Sequence, residues 1–230
     1  MKKRNNRILV IAAHPDDEVL GCGATIAKHA AAGDDVFVAI LAEGIRSRAK
    51  NGSKVEARIA ELNKCAEKAN RILGVKKLVL KGFPDNEMDT VSQLEINREI
   101  EGLLKEFEPE IIYTHHASDV NVDHRRIFES VVVAARPQPG VGIERIMSFE
   151  VASSTEWQLA SLRPFEPNWF VDVSLTWEKK LKALECYESE MRPWPHARSL
   201  AAIKAQLHWR GANVGLEAAE AFMMLRNIQY

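Results

Sequence analysis

The chain has 230 residues, 46% hydrophobic and 27% charged, with 31 lysines and arginines against 32 aspartates and glutamates. That is the composition of an ordinary soluble globular protein with one sizeable core, and a net charge of -1 gives no electrostatic reason to expect nucleic acid or an acidic membrane surface as partner. Three cysteines without C-x-x-C spacing argue against a disulfide framework or thiolate metal cage and point to a reducing, cytoplasmic setting, while the apolar run behind the basic start MKKRNNR is too short for a signal-peptide core and no later stretch could span a bilayer.

Short, continuous apolar runs predict strands at 8–13, 36–41, 77–80 and 111–114. Apolar residues at helical spacing predict helices over 18–32, 54–73 and 91–107, the second stopped by Gly74 and the third followed by Pro109. A further helix, 124–135, ends before Pro137. Such alternation, with strands apolar throughout, is the pattern of a parallel sheet covered on both faces. The Pro/Gly-rich stretch 136–142 marks a change in character. Beyond it, 145–152 and 170–173 read as further, antiparallel strands, with the loop RPFEPNW between them. The remainder reads as helix: 177–190, 197–209, and 216–226 after the 211–215 turn. The expectation is an α/β protein with a Rossmann-like, doubly wound, mostly parallel sheet. Its core lies at about 7–135, a small C-terminal strand and helix elaboration at 136–230, and one domain covers 1–230.

At the exit of the first strand, AHPDDE (13–18) places His14, Asp16, Asp17 and Glu18 within five residues. Like charges crowded beside an apolar core repel one another unless a cation, an arginine or solvent compensates them. Strand exits are also where open parallel sheets bind ligands. Dinucleotide binding is a poor fit. The fingerprint needs G-x-G-x-x-G immediately after the strand, whereas Gly21 lies seven residues past His14 and Ile26 stands at the third glycine's place. Gly21 and Gly23 are instead expected to let the first helix pack closely on the sheet.

Metal binding fits better, because zinc accepts imidazole nitrogen and carboxylate oxygen and a catalytic site uses three protein ligands. The fourth strand is followed by HHASDVNVDHRR, which holds His115, His116, Asp119, Asp123 and His124. Two such loops, each at a strand's carboxyl end, can close one site.

AHPDDE after the first strand, with NVDHR after the fourth, resembles the zinc-dependent N-acetylglucosaminyl deacetylases, the LmbE-like or PIG-L-like family. FPDN, FVDVS and PHARS are similar to its bacterial members. The resemblance implies hydrolysis of the acetamide of an N-acetylated amino sugar or sugar conjugate of the N-acetylglucosamine type, releasing acetate and a free amine. It implies one Zn2+ per chain, or another divalent transition metal, on His14, Asp17 and His124, with Asp16 as general base. It also implies a small-molecule partner and a homo-oligomer, trimer or hexamer. Glu18 is assigned to the helix start, where a negative charge suits the helix dipole, and Asp123 to orienting an imidazole.

In many members a histidine that stabilises the oxyanion stands three residues before the third ligand, and here that position is Asn121. Its amide can donate to an oxyanion but carries no charge. His115, His116 and His196 are alternative imidazoles. Asp85 and Asn86 in GFPDNEMD are candidates for binding sugar hydroxyls, and Arg46 and Arg48 for holding a phosphate or nucleotide on the substrate. His196 and Arg198, in the proline-containing loop RPWPHARS, are candidates to reach the active site, in this chain or a neighbouring subunit. The rival readings are a sugar-binding or regulatory member of the same fold that has lost turnover, and a phosphoesterase, which usually needs two metals and more carboxylates.

Overall fold

The computed structural model describes residues 5–46, 53–159 and 162–229; Arg48 and the first four residues of the basic start lie outside them. Seven strands form one sheet: β1 (Arg7–Ala12), β2 (Asp35–Ala42), β3 (Lys77–Phe83), β4 (Ile111–His115), β5 (Arg145–Phe149), β6 (Trp169–Asp172) and β7 (Ala219–Asn227). The helices are α1 (Asp17–Ala31), α2 (Ser53–Leu73), α3 (Gln93–Phe107), α4 (Val122–Ala134), α5 (Trp177–Leu184) and α6 (Leu200–Ala212). The strand order is β3-β2-β1-β4-β5-β7-β6, parallel from β3 through β5. This is the doubly wound arrangement the sequence predicts.

The continuous apolar strands are explained by burial on both faces. Ile8, Val10 and Ala12 of β1 join one core with α1, α2 and α5. Leu9, Ile11 and Ala13 join the other, with α3 and α4. Gly21 permits the close approach of α1 to the sheet: a Cβ there would lie 2.3 Å from the Phe149 ring.

The C-terminal part departs from expectation. The sequence pattern predicts a helix over 216–226, yet 219–227 form β7, antiparallel to both β5 and β6. Alanine, glutamate, methionine and leucine favour helix, but the gap between two strand edges supplies hydrogen bonds on both sides, and tertiary context overrides a weak propensity. β5 is parallel to β4 and antiparallel only to β7, so the antiparallel element of this region is β7 itself. The helix expected over 177–190 ends at Leu184 and tightens into a 3-10 turn at Glu185–Tyr187. α6 starts at Leu200, where the Ser199 hydroxyl accepts the Ala202 N–H.

Helix α1 is broken at Cys22, which has φ -147 and ψ 25. The backbone groups near the break are satisfied from the C-terminal elaboration. Glu220 of β7 accepts the N–H groups of Ala24 (3.1 Å) and Thr25 (2.6 Å). Lys180 of α5 donates to the Leu20 carbonyl (2.7 Å) and pairs with Glu220 (2.7 Å). Buried charges persist when paired and fully hydrogen-bonded in this way. Among the described residues, no helix is long and apolar enough to cross a membrane.

Candidate metal centre

β1 pairs with β2 on one side and β4 on the other, so the chain leaves these neighbouring strands toward opposite sides of the sheet. The loops after β1 and β4 meet at that switch point, the usual ligand crevice of such sheets. His14 Nδ1 lies 3.1 Å from Asp17 Oδ2, and His124 Nε2 lies 3.1 Å from the same oxygen. The donor atoms of His14, Asp17 and His124 are all within 4.8 Å of one another. Asp17 Oδ1 and both ring nitrogens of His124 are buried and make no well-formed hydrogen bond within the protein, although Asp17 Oδ2 and Asp119 Oδ2 stand within ion-pair distance of those nitrogens. Buried polar atoms left this way are exceptional, and two imidazoles with a carboxylate are a donor set suited to zinc. The residues therefore fit the metal.

The charges agree. Burial alone would lower both imidazoles, but Asp123 and Asp17 hold His14 up at about 10, and Asp17 and Asp119 hold His124 at about 9. Asp17, despite the upward push of burial, is held well below the usual carboxylate range by His124 and His14. The surrounding carboxylates thus favour positive charge on and around the two rings.

Each ring has a carboxylate behind it. Asp123 Oδ2 lies 2.9 Å from His14 Nε2, and Asp123 also accepts the N–H groups of Asn86 (2.7 Å) and Met88 (3.0 Å). Asp85 Oδ1 is 3.4 Å from the same His14 nitrogen, so His14, Asp85 and Asp123 form a second close group on the outer side of the ring. Asp119 Oδ2 lies 3.2 Å from His124 Nδ1. Such partners fix ring orientation and tautomer in metal sites.

The three carboxylates of the turn divide their roles. Asp17 faces the imidazoles. Asp16, at φ 110, accepts Arg198 Nη1 at 2.6 Å; burial raises its carboxyl to about 8, Arg198 pulling down against its acidic neighbours. Glu18 is fully buried and turns away from the pocket. Its Oε1 accepts Tyr187 Oη (2.7 Å) and Asn70 Nδ2 (2.9 Å), while Oε2 accepts the Asp16 N–H (3.1 Å). Burial lifts it to about 7.

A pocket of about 250 Å³ opens at His14, with Asp16, Asp85, Asn86, Asn121, His196 and Arg198 in its walls. Arg46 does not line it; its guanidinium is engaged by Glu43 and by Glu56, the latter at 2.9 Å. Asn121 is the N-cap of α4: Oδ1 accepts the Asp123 N–H (2.8 Å), and Nδ2 donates to Asn86 Oδ1 (2.9 Å). His115 is fully buried, its ring stacked on His124 with centroids 3.8 Å apart. It accepts the Ala13 N–H through Nε2 (2.8 Å), and burial holds its pKa well below the ordinary value. It is a neutral packing element outside the pocket. His116 is likewise turned away, donating from Nε2 to the Arg163 carbonyl (3.1 Å). Trp157 and Glu190, which also line the pocket, and Asp119 belong to no motif that marks a functional role in the sequence. Asp119's position five residues before His124 was the one local signal.

The fold and site together define an α/β protein with a candidate metal-binding group, His14, Asp17 and His124, at its topological switch point. The family of GlcNAc-PI de-N-acetylases, PIG-L, matches residues 9–135, and the chain belongs to this family. It is 28% identical to the diacetylchitobiose deacetylase of Thermococcus kodakarensis over 80% of this chain and 70% of the relative. It is 25% identical to the 4-oxalmesaconate hydratase of Pseudomonas putida over 96% of this chain and 87% of that protein. The crystal structure of N,N'-diacetylchitobiose deacetylase from Pyrococcus horikoshii superposes with a TM-score of 0.78 at 21% identity, covering 97% of this chain and 85% of the other.

Proposed function

We propose that the protein is a metal-dependent deacetylase that removes the acetyl group from an N-acetylated amino sugar or sugar conjugate. The observation that carries this reading is the convergence of His14, Asp17 and His124 around unsatisfied donor atoms, with the unligated carboxylate of Asp16 beside them. When held by these three residues, Zn2+ supplies Lewis acidity toward the amide carbonyl and acidifies water.

The protein's own groups do the rest. Arg198 engages one oxygen of Asp16; the other takes the proton of the attacking water and returns it to the leaving amine. Asp123 keeps the His14 ring in place. The Asn121 amide has a second N–H beyond the one given to Asn86, and this one donates to the developing oxyanion. Asp85, Asn86 and His196 bind sugar hydroxyls along the pocket wall.

The test is metal analysis combined with acetate release from N-acetylglucosamine, diacetylchitobiose and conjugated N-acetylglucosamines. Stoichiometric zinc with acetate release from at least one of them is expected. A second reading, addition of water to an unsaturated carboxylate, is favoured by the near full-length likeness to a hydratase and by Arg192 and Arg198 in the pocket wall. Its sign would be loss of alkene absorbance from an unsaturated dicarboxylate, with no acetate released from any acetamide.

A further inference from the structure

The loop that follows β5, Val151-Ala-Ser-Ser-Thr155, lies outside the region matched by the family, yet it reaches the metal centre's outer layer. The Ser154 hydroxyl donates to Asp119 Oδ1, and the Thr155 hydroxyl donates to Asp119 Oδ2 at 2.6 Å. The Asn121 N–H adds a third bond to Asp119, at 2.9 Å to Oδ1. Asp119 in turn stands 3.2 Å from His124 Nδ1. Ser154, Thr155 and Asp119 are all buried, so water does not compete for these bonds.

The loop is itself held in one shape. Thr155 Oγ1 accepts the Val151 N–H (2.8 Å). The Glu156 carboxylate accepts the N–H groups of Ser153 (2.5 Å) and Ser154 (3.2 Å). Ser153, at φ 65, points its hydroxyl elsewhere, accepting Arg198 Nε at 2.7 Å.

We propose that Ser154 and Thr155 are positioning residues for the metal ligand His124, acting through Asp119. The two hydroxyls fix both carboxylate oxygens, so the carboxylate presents one orientation to the imidazole and the ring presents Nε2 to the metal position. Rings oriented in this way bind metal more tightly, and loss of such a partner typically weakens affinity by about 10–100-fold. The inference rests on the reading of His14, Asp17 and His124 as the ligand set, and it commits the C-terminal elaboration to metal affinity.

The test is zinc affinity of the full chain, measured by competition with a chromogenic chelator, which needs no substrate. Ser154→Ala and Thr155→Val are each expected to weaken zinc binding about tenfold or more, and Thr155→Ser is expected to restore it. Ser153→Ala, which loosens the same loop without touching Asp119, should keep affinity within twofold of the unchanged protein. His124→Ala is the reference and should lose zinc. Retention of zinc by His124→Ala would overturn the ligand reading on which the inference stands. Loss by His124→Ala with unchanged affinity in Ser154→Ala and Thr155→Val would overturn the inference alone. Equal weakening by Ser153→Ala would also overturn it, because the effect would then be general loosening of the loop.

Discussion

Arg198 Nη1 lies 2.6 Å from Asp16 Oδ2, joining the loop before α6 to the turn after β1 across 182 residues of sequence. The guanidinium is steadied from behind by the Ser153 hydroxyl at 2.7 Å and the Ala152 carbonyl at 3.3 Å. A carboxylate crowded by Asp17, Glu18 and Glu190 thereby gains one oriented counter-charge from the same chain. Arg198→Met should leave zinc content unchanged while lowering turnover by about 10²-fold, the scale of a misplaced catalytic group. Zinc analysis and steady-state kinetics on the same preparation check this, and loss of metal would show that Arg198 supports the ligands rather than Asp16.

The neighbouring aspartates should separate under mutation. Asp17→Asn is expected to lose the metal, since a neutral amide is a poor ligand, whereas Asp16→Asn should keep it and lose about 10²–10⁴-fold in turnover. Metal stoichiometry after dialysis against a mild chelator gives the answer. The reverse pattern of metal loss would exchange the two roles.

Asn121 combines a cap with a pocket wall, and two substitutions divide these functions. Asn121→Ala removes both and should cost about 1 kcal/mol of stability through the lost N-cap. Asn121→Ser keeps a capping oxygen but has no amide N–H. It should recover most of that stability while remaining short of turnover by about 2.7–4 kcal/mol of barrier, the usual worth of one oxyanion donor. Full turnover in Asn121→Ser would move the oxyanion role to another pocket group, with His196 the first to replace.

The buried pair Lys180–Glu220 makes a stability prediction independent of catalysis. Glu220→Ala leaves Lys180 without its partner and the Ala24 and Thr25 N–H groups without their acceptor. Breaking a buried pair on one side typically costs about 3–5 kcal/mol, to be read from urea unfolding at neutral pH. A change below 1 kcal/mol would mean that water enters and replaces the carboxylate.

A pH prediction comes from His29, whose ring contacts Asp34 at 2.7 Å and Tyr113 Oη at 3.1 Å, away from the metal centre. Burial lowers its pKa, outweighing the opposing pull of Asp34. Asp34 is itself lowered: burial pushes it up, but His29 and Asn6 prevail. An imidazole lowered by folding stabilises the native state above its unfolded pKa near 6.5, and that contribution is lost as pH falls through the lowered value. A lowered carboxyl gives the same sign: its contribution is present above its ordinary pKa and lost on further acidification. Stability should therefore decline as pH drops from about 6.5. His29→Gln should flatten the upper part of that decline in denaturation midpoints measured between pH 5 and 7, and an unchanged slope would refute the assignment.

The sequence alone was enough for the parallel half of the sheet and for the residues at its switch point. Strands buried on both faces must be apolar throughout, as in Ile8 to Ala13, and candidate ligands placed on two strand exits appear as compact motifs such as AHPDDE and NVDHR. The family resemblance drew on the same local pieces. What the linear chain did not reveal depends on partners far apart in sequence. β7 carries a helix-favouring composition, and only the open edges of β5 and β6 make it a strand. Glu18 looked like a helix-start charge, but Tyr187 and Asn70 turn it into a buried brace for the Asp16 backbone. Arg198 stands out as an arginine just after two prolines, yet its contact with Asp16 exists only because the C-terminal elaboration folds back over the carboxyl edge of the sheet. Motifs record interactions between neighbours in the chain. Orientation of a carboxylate or an imidazole is set by whatever packs against it, and here that packing arrives from elements remote in the chain, from 35 residues away for Ser154 on Asp119 to 182 for Arg198 on Asp16.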